Sequence, residues 1–358
     1  MTSFSSYQAL ALQMRCKAVN GCASIDEARE VLGANLSRLA DLVRANKAFI
    51  GAGCKLVVLP EYVLTGFPMG ETFPHWREKA CIASDGREMD ALCRIAQDNQ
   101  IYLAVNAYEK EQHFENLFFQ GCFLISPEGR VILRYRRMNS VFSPTPFDVW
   151  ERYLEFYGES SLFPVADTPL GRMAFIASDE ILFPEVARMV LMQGAEILLH
   201  PSSETYGPQP SGKDICKQAR ALENLAYVIS ANTAGITGTD LCAESADGGS
   251  RIIDYRGRIL AVAGHGESLN ANAEVHVSGL REARRQQGMH NLVARQKYAQ
   301  YADFYASAVG ASPNTLLSPY FENDHRGSSQ EQFTPSRTML LAAQREVILA
   351  LEKAGRLP

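Results

Sequence analysis

GRMAFIASDEILFPEVARMVLMQGAEILLHPSS, residues 171–203, decides how this chain is read. Its apolar run at 173–177 predicts a buried strand. The run halts at Ser178, Asp179 and Glu180, three polar residues together. Phe183, Pro184 and Glu185 follow, with the proline suited to the first turn of a helix. Helical apolar spacing covers 186–192, Gly194 ends it, and 196–200 reads as a second strand. This is strand, sharp turn, helix, strand. In open α/β folds the turn beyond a strand's carboxyl end is where catalytic side chains sit.

Upstream, the same alternation repeats. Residues 7–14 predict a first strand, Ser24 with Glu27 a capping box, and 28–46 an amphipathic helix. KLVVLPE, 55–61, is an apolar strand ending in the carboxylate of Glu61, with a tight loop at 62–66. A carboxylate in that place must be solvated, paired or used. Structural ion pairing and catalysis are equal readings of it. Residues 68–76 predict a loop whose aromatics line a pocket or simply pack. A helix over 85–98 precedes strands at 101–108, 117–126 and 130–135, the last two joined by the turn Pro127-Glu128-Gly129. SVFSPTPFDVWERYLEFYG, 140–158, is long and aromatic for a connection, which predicts a functional lid.

Downstream come a polar loop (204–212), a helix (213–224), a strand (226–232), a hairpin (248–261) turning at Gly257, and a last strand (273–277). Residues 282–305 read as a charged, aromatic-studded helix, 312–336 as a Pro/Ser/Asn-rich segment, and 338–353 as a final helix.

Three sites in this order resemble the nitrilase, or carbon–nitrogen hydrolase, superfamily. Its signatures are an apolar strand ending in Pro-Glu, then Tyr-Arg-Lys after a Gly-headed strand, then a strand running into Cys-x-Asp/Glu, an aromatic and Pro-Glu. Here they read Pro60-Glu61, Tyr135-Arg136-Arg137-Met138-Asn139, and Ser178-Asp179-Glu180 ahead of Phe183-Pro184-Glu185. Three positions depart: Arg137 stands where the family has its catalytic Lys, Asn139 where it has a following His, and Ser178 where it has its nucleophilic Cys. Arg220, Ala221, Glu223, Asn224, Asn232 and Gly235 match structural positions of the family. Glu151 aligns loosely with a second, lysine-supporting Glu; an ordinary surface Glu is the equal alternative.

The resemblance implies an α/β four-layer α-β-β-α sandwich of two mixed sheets. It spans residues 1–280 as one domain and leaves 281–358 as an extension, which in this family often embraces a partner subunit. It implies a catalytic set of Glu61, Arg137 and Ser178, supported by Glu151, Asp179 and Glu180, acting on a small amide, carbamoyl or related C–N compound. No cofactor or metal is implied, and a homodimer or larger assembly is. A hydroxyl supplies far less nucleophile than a thiol of pKa ~8.5. Arg137 can hold an oxyanion but, with a pKa above ~12, moves no proton. A binding homologue without hydrolysis, and a pocket running acid–base chemistry without a covalent intermediate, therefore stay open beside an atypical hydrolase.

Composition sets the remaining bounds. The chain has 358 residues, 46% hydrophobic and 21% charged, enough for one large domain plus an extension. A net charge of −5 gives no reason to expect nucleic acid or an anionic membrane as partner. No apolar run reaches ~18 residues, and the N-terminus has no signal-peptide pattern. Cys16, Cys22, Cys54, Cys81, Cys93, Cys122, Cys216 and Cys242 show no metal spacing, which predicts reduced thiols and a cytoplasmic setting.

Overall fold

The structure, a computed structural model, describes residues 6–115, 117–140, 142–267, 270–314 and 337–357, without the side chains of 337–341 and 343. In chain order the first half supplies β1 (Ser6–Ala11), helix α1 (Ile25–Ile50), β2 (Cys54–Val58), α2 (Phe73–Ala80), α3 (Arg87–Asn99), β3 (Tyr102–Lys110), β4 (Phe118–Ile125), β5 (Val131–Arg136) and α4 (Trp150–Tyr157). The second half supplies β6 (Ala166–Thr168), β7 (Gly171–Phe175), α5 (Pro184–Met192), β8 (Ile197–Ser202), α6 (Gly212–Asn224), β9 (Tyr227–Asn232), β10 (Arg251–Ile253), β11 (Ile259–Val262), β12 (Ala271–His276) and α7 (Val277–Arg285). The short α8 (Ala302–Ala306) and α9 (Arg337–Lys353) come last.

One sheet runs β12-β1-β2-β3-β4-β5, with the short strand Ile82–Ala83 added beside β3; the other runs β11-β10-β9-β8-β7-β6. Both are mixed: β1, β2 and β3 are parallel, as are β7, β8 and β9, and antiparallel strands flank each set. The alternation of strand side chains puts one apolar set of each sheet between them. Ala9, Ala11, Leu56, Val58, Cys122 and Leu124 from the first meet Met173, Phe175, Ile197, Leu199 and Ile229 from the second. The opposite faces carry helices. Leu32, Leu39 and Val43 of α1 and Leu92 and Ile95 of α3 cover Leu10, Val57 and Leu103. Val186 and Val190 of α5 and Ala221 of α6 cover Ala174, Leu198 and Val228. The result is the four-layer α-β-β-α sandwich expected from the sequence.

Local chemistry explains where elements begin and end, and where the sequence expectation fails. Ser24 Oγ accepts the Glu27 N–H at 3.1 Å, but Glu27 answers through Ala23 N–H rather than through Ser24. The expected loop at 68–76 instead turns helical at Phe73, because Thr72 Oγ1 caps His75 N–H and Pro74 sits in the first turn. Its Phe73 and Trp76 pack against Tyr108 and Phe118 in the core. The connection 140–158 holds a 3-10 turn (Pro146–Val149) and α4, whose Tyr153 and Tyr157 rings lie over the Arg136 guanidinium.

The helix expected over 282–305 stops at Arg285. Asn291 folds back there to donate to Arg284 O and Gln286 O, which ends the helical ladder. Most of the Pro/Ser/Asn-rich segment lies outside the described residues. No helix among the described residues is long and apolar enough to cross a membrane.

Candidate active site

Strand ends deliver the three signature positions, two of them from parallel strands and one from the antiparallel edge strand β5. Glu61 follows β2, Arg137 follows β5, and Ser178 follows β7. Glu61 is pinned by its backbone between the sheets: its N–H donates to Ser202 O at 3.2 Å and its carbonyl accepts Thr233 Oγ1–H at 2.7 Å. The next residue, Tyr62, has φ +61°, and Ser178 has φ +53°. Left-handed backbone at a non-glycine residue costs on the order of 1–3 kcal/mol and persists only where surroundings hold it. At Gly66, closing the loop after Glu61, φ is +74° and an added Cβ would fall 2.5 Å from Ala18 Cβ, so no larger residue fits.

Arg137 and Glu61 meet directly. Arg137 Nη1 donates to Glu61 Oε1 at 3.0 Å and to Gln120 Oε1 at 2.6 Å, while Gln120 Nε2 donates to Glu61 Oε1 at 2.8 Å and to Asn106 Oδ1 at 3.1 Å. Arg137 Nε donates to Asn139 O at 2.6 Å, and Nη2 forms an ion pair with Asp179 Oδ1. Burial works against the guanidinium's charge, but the charge of Glu61 leads the groups that outweigh it and holds Arg137 above its usual range. Glu61 Oε2 is buried and has no hydrogen-bond partner among the described residues. The Tyr62 hydroxyl is pushed up by burial first and by the Glu61 charge next.

Glu180 is the anchor of the Ser178 turn. Oε1 accepts from Met138 N–H at 2.7 Å and Asn139 N–H at 3.0 Å, Oε2 accepts from Ala177 N–H at 2.9 Å, and the Tyr135 hydroxyl reaches both oxygens. It thus ties the strand end carrying Arg137 to the strand end carrying Ser178. Burial raises its pKa, more than the Arg137 charge and the donors lower it. The Ser178 carbonyl accepts from His200 Nε2 at 2.8 Å. A carbonyl only accepts, so Nε2 carries the hydrogen and Nδ1 accepts from Ser230 Oγ at 2.8 Å. Burial, then the Lys217 charge, lowers the His200 pKa to about 3, so its imidazole is neutral.

The structure therefore brings Glu61, Arg137 and Asp179 into contact, with Glu180 beneath them. Ser178 sits beside Asp179 in the chain, and among the described residues its Oγ has no hydrogen-bond partner. Glu151 stands exposed on α4; its backbone N–H donates to Asn314 Oδ1 at 2.9 Å, and no hydrogen bond or ion pair links its carboxylate to the other candidates. Gln120, Asn106 and His200 match no motif in the sequence. Gln120 and Asn106 fall inside predicted strands, where a polar residue among apolar ones is the available signal. His200 closed an apolar strand, the same signal that singled out Glu61. No group of acidic, His and Cys side chains arranged to hold a metal occurs among the described residues.

Comparison with known proteins bears on the family and the fold. The carbon–nitrogen hydrolase family model matches residues 18–285. An omega-amidase NIT2-A from Xenopus laevis is 26% identical over 253 residues, which is 70% of this chain and 86% of that protein. A formamidase from Bacillus thuringiensis is 27% identical over 214 residues, 59% of this chain and 60% of that one. Among solved structures, a carbon-nitrogen hydrolase from Helicobacter pylori G27 superposes with a TM-score of 0.65 at 20% identity, covering 84% of this chain and 98% of that one. With its family signature matched over most of its length and its fold shared with solved members, this chain belongs to the carbon–nitrogen hydrolase family.

Proposed function

We propose that the protein hydrolyses small amides at Glu61, Arg137 and Ser178, with Asp179 and Glu180 as supporting groups. The observation that carries the reading is Glu61 Oε2, a buried carboxylate oxygen without a partner beside a guanidinium. Among the described residues this oxygen accepts no hydrogen bond of ordinary geometry. The likeness to an omega-amidase and a formamidase supports the amide class.

In this account Ser178 Oγ attacks the amide carbon and its proton passes to Glu61 Oε2. The new C–O bond leaves negative charge on the former carbonyl oxygen, which Arg137 Nη2–H holds without giving up its proton. Collapse breaks the C–N bond, Glu61 returns the proton to the departing amine, and water then cleaves the ester by the same route. The test is ammonia release by wild type and Ser178→Ala. Loss of about 10³-fold or more is expected; turnover near wild type removes Ser178 from the chemistry and leaves Glu61 with a bound water.

A second reading is a homologue that binds a small ligand without hydrolysis. It is favoured by the guanidinium being committed to Asn139, Glu61, Gln120 and Asp179. Absence of turnover across an amide panel by wild type would select it. We further propose residues 1–280 as the hydrolase-like domain and 281–358 as its extension, a homodimer or larger as the working form, and the cytoplasm as its place. Eight free thiols support a reducing compartment, which cell fractionation would check.

A further inference from the structure

We infer that the site takes amides that carry a positively charged group; this rests on the amide reading above. Glu61 and Asp179 bring two carboxylates to one guanidinium, so this group has an excess of negative charge. The excess faces outward. The Asp179 side chain is 27% exposed, against 4% for Arg137 and 0% for Glu61, so of the three it is the one that reaches solvent, although its Oδ1 is buried against Arg137.

The guanidinium has little left to offer an anion. Nε serves Asn139 O, Nη1 serves Glu61 and Gln120, and Nη2 is paired with Asp179. One Nη2–H is left over, which the amide carbonyl oxygen takes in the reaction proposed above, and a substrate carboxylate brought to it would be repelled by Asp179. Glu61 Oε2 adds an acceptor, buried and without a hydrogen-bond partner, inside the same group.

A second feature points to the same substrate. From Glu61 a run of aromatic rings leads outward: Tyr62 stacks on Tyr108 at 6.0 Å, Phe67 lies 5.2 Å from Tyr62, and Phe142 lies 6.1 Å from Phe67. Tyr62 and Tyr108 are buried, while Phe142 is 38% exposed. Ring faces attract cations and do nothing for a carboxylate. An ammonium on a short alkyl amide finds carboxylates and aromatic rings near one another here, whereas its anionic counterpart meets the repulsion of Asp179 and Glu61.

The experiment is calorimetric binding of three amides of matched length to the wild-type protein at low salt. They are 4-aminobutanamide, which is an ammonium at pH 7, pentanamide, and glutaric acid monoamide. Expected is a Kd for the ammonium at least about tenfold below that of pentanamide, with the carboxylate weakest. Asp179→Asn should remove most of that preference, and Asp179→Glu should keep it. Equal binding of all three, tighter binding of the carboxylate, or no binding of any overturns the inference, and the wild-type order decides it even where a variant fails to fold. Ammonia release, followed in the same samples, separates this from the hydrolytic reading. Preferred binding of the ammonium without ammonia overturns hydrolysis alone, and ammonia from the carboxylate amide in preference overturns the charge inference alone.

Discussion

At the residue scale, Ser178 is held in a strained place by neighbours that do unlike jobs. Glu180 fixes the strand end before it, and His200 holds its carbonyl as a neutral imidazole. That neutrality has a measurable consequence. The folded-state pKa of His200 lies near 3, below the ordinary 6.5 of the unfolded chain. The stability His200 gains by staying neutral is fully present above pH 6.5 and is lost as pH falls from there toward 3, because only the unfolded chain takes up the proton. From pH 7 to pH 5 the loss is roughly 2 kcal/mol, at 1.36 kcal/mol per pH unit below 6.5. Urea unfolding at the two values should show it, and His200→Asn should remove most of it. An unchanged loss in that variant would assign the acid sensitivity elsewhere.

At the element scale, most of the fold was legible in the sequence because strand and helix periods and the ends of strands are local signals. The run 173–177, the proline-led α5 and the strand carrying His200 all fall where apolar spacing placed them, within a few residues. The misses have long-range or single-atom causes. Phe73–Ala80 became a helix through one threonine cap, and the expected helix beyond Arg285 was cut by the Asn291 side chain.

Elements also leave a face uncovered. Leu182, Phe183 and Met192 around α5, with Ile215 and Leu222 on α6, are exposed apolar residues on the outer layer of the second sheet. Exposed apolar groups gathered on neighbouring elements mark interaction surfaces. We therefore expect light scattering at micromolar protein to give a dimer or larger; a stable particle near 39.5 kDa would contradict this.

At the scale of the whole molecule, the site exists only because two sheets meet. Glu61 and Arg137 come from one and Ser178 with Asp179 from the other, and Glu180 and Thr233 bridge them. Sequence motifs placed these residues at strand ends. They could not show that Arg137 would reach both carboxylates, or that Gln120 would share Glu61 with it, since both depend on how the sheets pack. The chain also folds back on itself beyond its last strand. Arg281 pairs with Glu196, the Tyr305 hydroxyl donates to Glu185, and Asn314 reaches Phe147 and Glu151 beside α4. Residues 281–314 are thus tied to both halves of the sandwich.

On the proposed mechanism this assembled site forms an acyl-enzyme on Ser178. Intact-mass spectrometry during turnover of a small amide reads that intermediate directly. The account predicts a transient mass increase equal to the acyl group, located at Ser178 by peptide mapping and absent from Ser178→Ala. Sustained amide hydrolysis with no adduct at Ser178 under rapid quench, or an adduct on any other residue, would contradict it.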